Sequence, residues 1–371
     1  MEQRCTLPNG DALTLTARAA VIRFAAPRKT IGTSANCGGL RRDLTAIFNH
    51  CDCGTAGVCE PMQGKNLEEH QIFTAKKLGL DPAHTAGLHT AVNLDNLVLH
   101  EERFEDLSVT ALVSGGADNN ACCAGDPTHL HEREGEICSV PPGTINIILL
   151  INQSLSDGAL AEAMMTATEA KSAVLRDLMQ GSCYTSALAT GTGTDGIIVV
   201  CNADGGPMLR NAGKHFKLGE LIGKAVRRSL PEALFRQTGF SADSQHSALQ
   251  RLRRFGVTES SILAKCNARA PEQADASRAG LLRMERDGFL VAAVSLCAHL
   301  LDQVESGMLP MREAACWIRR ILDEICCHFS CPAPEGPPPA SAADALAAIE
   351  ELFCSLLLLH NEVAAQFYHG M

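Results

Sequence analysis

Three polar segments lie against apolar runs in this chain: Pro142-Gly143-Thr144-Ile145-Asn146, Thr166-Ala167-Thr168-Glu169-Ala170-Lys171 and Thr190-Gly191-Thr192-Gly193-Thr194-Asp195. Hydroxyl and amide groups buried without partners cost roughly 2–7 kcal/mol each and a carboxylate far more, so such a concentration at element ends fits a polar pocket better than a plain core. Asp195 could orient a water or hold a hydroxyl, and Glu169 could orient the base. Consecutive backbone N–H groups of Gly191, Thr192, Gly193 and Thr194 could form an anion-binding nest. Thr144 and Asn146 point to one side of a strand, because strand side chains alternate. The Gly143–Thr144 junction also has the composition of a self-cleaving bond that would free Thr144 as an amino-terminal nucleophile.

Each segment has a plainer reading. Gly-Thr turns are common, and the Pro-Gly-Thr turn needs no more than a hydrogen bond at a strand edge. Between Asp157 and Met179 a helical pattern places Leu160, Met164, Ala167, Val174, Leu175 and Leu178 on one face, and Lys171 falls inside that arc. A lysine there needs a carboxylate, an escape route for its ammonium, or a substrate. With Thr168 it could form the floor of a pocket; the alternatives are snorkelling and a structural ion pair. Further polar groups stand at Ser114-Gly115-Gly116-Ala117-Asp118-Asn119-Asn120 and Gly125-Asp126, where Gly116, Asn119 and Asp126 fit a ligand rim or Asx turns. Asn49-His50 reads as a helix end, with His50 a candidate base because its charge changes near neutral pH.

Strand-like runs at Ala20–Phe24, Val109–Val113, Ile145–Ile151 and Ile197–Cys201 must carry these groups. The last two are continuously apolar, as in strands buried on both faces. Helical patterns fall at Arg41–Asn49, Leu67–Leu78, Asp157–Met179 and Leu218–Phe235. The expectation is an α/β domain over 1–239, with a central, mostly buried sheet flanked by helices. An all-α extension follows over 240–330, with helices at Ser241–Cys266, Ala274–Glu305 and Met311–Phe329 and breaks near Gly256, Pro271 and Gly307–Pro310. A Pro-rich linker (331–341) and an amphipathic helix (342–371) complete the chain.

The chain has 371 residues, net charge −10, one Trp and two Tyr. The charge argues against a polyanionic partner, and the few large aromatics against stacking on nucleic-acid bases. Arg227-Arg228 and Arg251-Leu252-Arg253-Arg254 read as local helix surfaces. The start lacks a signal-peptide pattern, and the apolar stretch around Leu356–Leu359 is too short for a bilayer. A cytoplasmic protein without a membrane partner is expected, and its 17 cysteines are expected to be reduced thiols. Cys51-Asp52-Cys53 with Cys59, or Cys122-Cys123 with His129 and His131, could supply metal ligands, but neither has zinc-site spacing, so no resident metal is expected. No Gly-x-Ser-x-Gly, His-Glu-x-x-His or phosphate-loop pattern occurs.

Taken together, Gly38-Gly39-Leu40, Asn49-His50, Gly87-Leu88 with Thr90-Ala91, Gly125-Asp126, Pro142–Asn146, Thr166–Lys171, Thr190–Asp195 and Leu218-Gly219 resemble the adenosylcobinamide amidohydrolase family. The similarity runs from about Val21 to about Leu234 and departs at His89, Asn120 and Cys51-Asp52. It implies hydrolysis of the amide that joins aminopropanol to the corrin, yielding adenosylcobyric acid and 1-amino-2-propanol in corrinoid salvage. Cobalt would enter only as part of the substrate, with no other cofactor. Alternatives are a non-catalytic corrinoid binder and a hydrolase of another amide. A small-molecule corrinoid is the expected partner, and a homo-oligomer is possible. On this reading the catalytic candidates are Asp195, Lys171, Glu169, His50, Asn146 and Thr144. The binding candidates are Asn49, Gly116, Asn119, Asp126, Gly143, Thr168, Gly191, Thr192, Gly193 and Thr194.

Overall fold

The computed structural model describes residues 2–53, 59–128, 131, 143–203, 208–333 and 336–369, with the backbone alone for 362–369. Pro142, His129 and residues 334 and 335 of the expected linker lie outside the described residues. Among the described residues there are fourteen strands: β1 (Gln3–Thr6), β2 (Ala12–Leu15), β3 (Ala19–Arg23), β4 (Arg28–Gly32), β5 (Gly39–Arg41), β6 (Ala46–Cys51), β7 (Thr85–Thr90), β8 (Val98–Phe104), β9 (Leu107–Gly116), β10 (Ala121–Cys122), β11 (Thr144–Leu155), β12 (Gly191–Thr192), β13 (Gly196–Asn202) and β14 (Met208–Leu209). The helices are α1 (Leu67–Lys77), α2 (Asp157–Asp177), α3 (Lys217–Thr238), α4 (Ala248–Leu252), α5 (Glu259–Arg269), α6 (Ala274–Met284), α7 (Gly288–Glu305), α8 (Met311–Phe329) and α9 (Ala342–His369). They form two compact units, one of Met1–Tyr184 with Leu188–Ser241, the other of Thr185–Ala187 with Ala242–Met371.

The first unit is α/β, with two large sheets stacked face to face and a small third one of β10 and β12. One has the order β1-β2-β3-β6-β7 and the other β5-β4-β13-β11-β9-β8, with β14 also pairing β11. Alternation along β11 shows why they stack. Ile145, Ile147, Leu149 and Ile151 face α2 and α3, while Ile148 and Leu150 join Ile22, Ile47, Ala86 and Leu88 of the other sheet. On the outer face of the first sheet, Val21 and Phe48 pack with Ala75 of α1. The layers therefore run helix pair, sheet, sheet, helix. Most neighbours are antiparallel, but β11–β13, β11–β14 and β6–β7 are parallel.

Two sequence expectations change here. Arg41–Asn49 is not a helix: its Ala46–Cys51 portion is the buried strand β6, so Asn49 and His50 stand near a strand end. A run this short and apolar satisfies either period, and pairing between β3 and β7 decides it. Cys53 and Cys59, joined by an isolated β-bridge, form a disulfide, whereas reduced thiols were expected throughout; the other described cysteines are free.

Gly87 of β7 shows how tightly α1's side is packed. A Cβ there would lie 2.0 Å from Phe48 Cζ, and Phe48 is fully buried. Gly87→Ala is expected to cost about 1–3 kcal/mol through overpacking, read by urea denaturation, with Phe48→Leu in the same chain restoring part of the loss.

The second unit is wholly helical among its described residues. Leu252, Ile262, Leu290, Val294, Leu301, Ile318, Leu322, Ile325, Ile349 and Phe353 form its core. Within Ser241–Cys266 the helix breaks at Gly256 (φ 86°), where a break was expected; α4 starts only at Ala248, and α5 is restarted by a Thr258–Ser261 capping box. Ala274–Glu305 is two helices, with Asp287 capping α7. By length and composition α7, not the Leu356–Leu359 region, is the described helix apolar enough to cross a membrane; Leu290, Val294, Cys297 and Leu301 on it are core residues of this unit.

Candidate active site

The amino-terminal ends of β11 and β13 and the carboxyl-terminal end of β9 meet at one edge of the second sheet, where Thr144 pairs with Gly116 and Asn146 with both Ser114 and Gly196. Around this edge the three polar segments converge. Lys171, buried on α2, makes an ion pair with Asp195. Asp195 also accepts from Ile145 N at 3.0 Å, Thr192 N at 3.1 Å and Thr192 Oγ1 at 2.6 Å. The carboxylate thus knots the Thr190–Asp195 loop to the start of β11. Gly191 is required beside it, since a Cβ there would come within 2.3 Å of both Asp195 Oδ2 and Lys171 Nζ.

One residue earlier, the hydroxyls of Thr144 and Thr194 are 2.6 Å apart. Thr194 Oγ1 donates to the Gly143 carbonyl at 2.7 Å, and Asn120 Nδ2 donates to the same oxygen at 3.2 Å. Tyr184 donates its hydroxyl to Asn120 Oδ1 at 3.2 Å, which fixes the end of the amide that faces Gly143. Thr144 and Asn120 are buried, whereas Gly193 and Thr194 are exposed, so the group opens to solvent along that loop.

On the face between the sheets, Asn146 Nδ2 donates to Asn49 Oδ1 and to the His89 carbonyl, both at 2.9 Å, and Asn49 Nδ2 donates to Ser114 Oγ at 2.9 Å. The side chains of Asn146, Asn49 and Ser114 are all buried. Asn146→Leu would leave two buried acceptors without donors, at about 1–3 kcal/mol for each. Chemical denaturation checks this; a loss below about 1 kcal/mol would mean that neither acceptor depends on Asn146.

Several sequence-derived roles change with these positions. Thr168 is exposed and bonds back to Met164 O within its own helix, so it floors no pocket. Glu169 is exposed and pairs with Lys214, so it orients neither Asp195 nor His50. Both lie one turn or less from Lys171 but off its buried face. Three of the four N–H groups expected to form an oxyanion nest are engaged within the protein: Thr192 N on Asp195, Gly193 N on Asn120 O at 3.3 Å and Thr194 N on Thr192 Oγ1 at 3.5 Å. Lys171 is engaged by Asp195 rather than pointed at a ligand. Asp126 organises the neighbouring loop, accepting from Cys123 N at 2.7 Å and Ser182 Oγ at 2.6 Å, and Asn119 is exposed.

His50 points away from Asn49, to the α1 side of the first sheet. There Asp52 Oδ1 lies 2.9 Å from His50 Nδ1, 2.8 Å from His89 Nδ1 and 3.3 Å from His70 Nε2. Burial alone would raise the Asp52 carboxyl, but hydrogen bonds from the three rings outweigh it and hold it well below the usual carboxylate range. Burial pushes the His89 imidazole down despite Asp52, and its Nε2 is buried without a partner. Among the described residues His50, Asp52 and His89 are the group whose donor atoms could hold a metal ion. These residues come from β6, β7 and the segment between β6 and α1. Sequence reading missed Asp52, His70, His89, Asn120 and Tyr184 as partners; the His50-x-Asp52 spacing was the one local signal.

A sequence model of the adenosylcobinamide amidohydrolase family matches residues 6–242. The chain belongs to the adenosylcobinamide amidohydrolase family. All three polar segments fall inside the match, and residues 243–371, nearly all of the helical unit, fall outside it. An adenosylcobinamide amidohydrolase of Methanosarcina mazei is 32% identical over 209 residues, spanning 54% of this chain and 88% of its own length. An uncharacterised protein of Methanocaldococcus jannaschii is 33% identical over 242 residues, 61% of this chain and 89% of its own. A Halobacterium salinarum adenosylcobinamide amidohydrolase is 31% identical over 140 residues, 38% of this chain and 56% of its own. Among solved structures, the PH0078 protein of Pyrococcus horikoshii is 12% identical, covering 62% of this chain and 80% of its own, at a TM-score of 0.29 that adds nothing to the fold description. This amidohydrolase family thus accounts for the first unit only.

Proposed function

We propose that the protein hydrolyses the linear carboxamide joining aminopropanol to the corrin of adenosylcobinamide, giving adenosylcobyric acid and 1-amino-2-propanol in cobinamide salvage for cobalamin biosynthesis. Cobalt belongs to the substrate, and the reaction takes place in the cytoplasm. The observation that carries this reading is the family match over residues 6–242, which contains every member of the Thr144, Thr194, Asn120, Asp195 and Lys171 group. An unactivated amide needs a nucleophile, donors for the carbonyl oxygen and a proton for the departing amine. The hydroxyl pair Thr144–Thr194 and the Asn120 amide are groups of the required kind beside an exposed loop.

Product analysis in H2(18O) tests the reaction. The expected result is one labelled oxygen in the new corrinoid carboxylate and an equal amount of 1-amino-2-propanol. Ammonia from a primary side-chain amide would instead mark a hydrolase of another amide. Tight binding without either product would mark a corrinoid carrier.

A further inference from the structure

We infer that the protein cuts its own Gly143–Thr144 peptide bond and that the freed Thr144 is the nucleophile of the amide hydrolysis. The second half of this inference rests on the proposed function; the first does not. Four observations meet at this bond. Thr144 is the first residue of β11, with its side chain buried between strand ends. The carbonyl oxygen of Gly143 receives two side-chain donors, Thr194 Oγ1 at 2.7 Å and Asn120 Nδ2 at 3.2 Å. Thr194 Oγ1 is at a separation at which a donor stabilises a carbonyl oxygen as it gains negative charge, with Asn120 Nδ2 slightly farther off. Thr194 Oγ1 also sits 2.6 Å from Thr144 Oγ1, and since its own proton is given to Gly143, it accepts the proton of Thr144. Finally, Gly143 has φ 144°, and a Cβ there would stand 3.0 Å from Asn120 Cβ, so the residue before the threonine has to be glycine.

The chemistry balances without any added reagent but water. Thr144 Oγ bonds to the Gly143 carbonyl carbon, the Gly143–Thr144 C–N bond breaks, and the hydroxyl proton ends on the Thr144 nitrogen. Water then splits the resulting ester, returning a proton to Thr144 Oγ and leaving Gly143 as a carboxylate. The chain that begins at Thr144 now carries hydroxyl and amine on one residue, and an α-amine of pKa about 8 can serve as its general base. In turnover Thr144 Oγ attacks the substrate carbonyl, 1-amino-2-propanol leaves with a proton passed through that amine, and water releases the corrin acid from the ester. Asn120 and Thr194, no longer bound to Gly143 O once that residue withdraws, are left as donors for the substrate oxygen. This also answers why the glycine-threonine loop can spend its backbone N–H groups internally: the oxyanion donors are side chains.

Intact-mass measurement and amino-terminal sequencing of the purified full chain, with amine release measured on the same samples, test both halves. The wild type is expected as two co-purifying polypeptides, one ending at Gly143 and one beginning at Thr144. Thr144→Ala is expected to stay one chain and to lose roughly 100-fold or more in turnover, whereas Thr144→Ser still cuts and turns over. Should Thr144→Ala fail to fold, Thr194→Val replaces it, with slowed cutting in a time course as the expected result. A wild-type chain that stays whole, or a Thr144→Ala chain that is cut at the same bond, overturns the self-processing. If the whole chain releases aminopropanol, the proposed function survives without it. If the cut chain releases none, the proposed function fails and the processing stands.

Discussion

Lys171→Met is expected to destabilise the first unit by about 3 kcal/mol, on the order of 10 °C in its melting transition. The ammonium is buried on α2 and its partner Asp195 is 14% exposed, so neither charge can turn to water when the other is removed. The methionine keeps the length of the lysine stem, so the loss reports the charge rather than a cavity. Asp195 retains Ile145 N and both donors of Thr192, which holds the cost at the lower end of the range for a broken buried pair. Adding Asp195→Asn to Lys171→Met should recover part of the loss, since it removes the orphaned charge while the amide oxygen can still accept from the Ile145 and Thr192 donors. Calorimetry of the two single variants and the double variant checks this. A loss under about 1 kcal/mol would show that the pair behaves as a solvent-screened one.

Thr194→Val should act on chemistry instead. Valine has the shape of threonine, and Thr194 is exposed, so stability should move by less than about 1 kcal/mol. Turnover should fall by about 100- to 1000-fold, the cost of one donor to a developing oxyanion. The loss should sit in kcat rather than KM, because the donor matters most as charge builds on the carbonyl. Steady-state kinetics with adenosylcobinamide provides the check. An unchanged kcat would remove the Thr144–Thr194 hydroxyl pair from the mechanism.

The sequence showed its buried elements best. Ile145–Ile151 and Ile197–Cys201 are continuously apolar because each is covered on both faces, and they became the parallel pair β11–β13. The helical period placed Lys171 on the buried face of α2, although not its partner, since Asp195 lies 24 residues away along the chain. Asn49-His50 was misplaced on a helix because six residues of β6 hold too little of either period to decide. The stacking of two sheets was equally hidden: β4, β7 and β8 are defined by whom they pair with. The same limit applies to the site. Tyr184 meets Asn120, and Asn120 meets Gly143, across separate loops, and His50, His70 and His89 surround Asp52 from a strand, a helix and a second strand. No local spacing encodes either group. Thr168 and Glu169 looked functional because polar residues near Lys171 were grouped by sequence neighbourhood, and a turn of helix sends them to solvent.

The most direct measurement is amine release from adenosylcobinamide by the purified full chain, followed in parallel with Thr144→Ala at equal concentration. The account predicts 1-amino-2-propanol and adenosylcobyric acid in equal amounts from the wild type over many turnovers, and almost none from the variant. Equal release by both chains, or corrinoid recovered unchanged from the wild type, would contradict it.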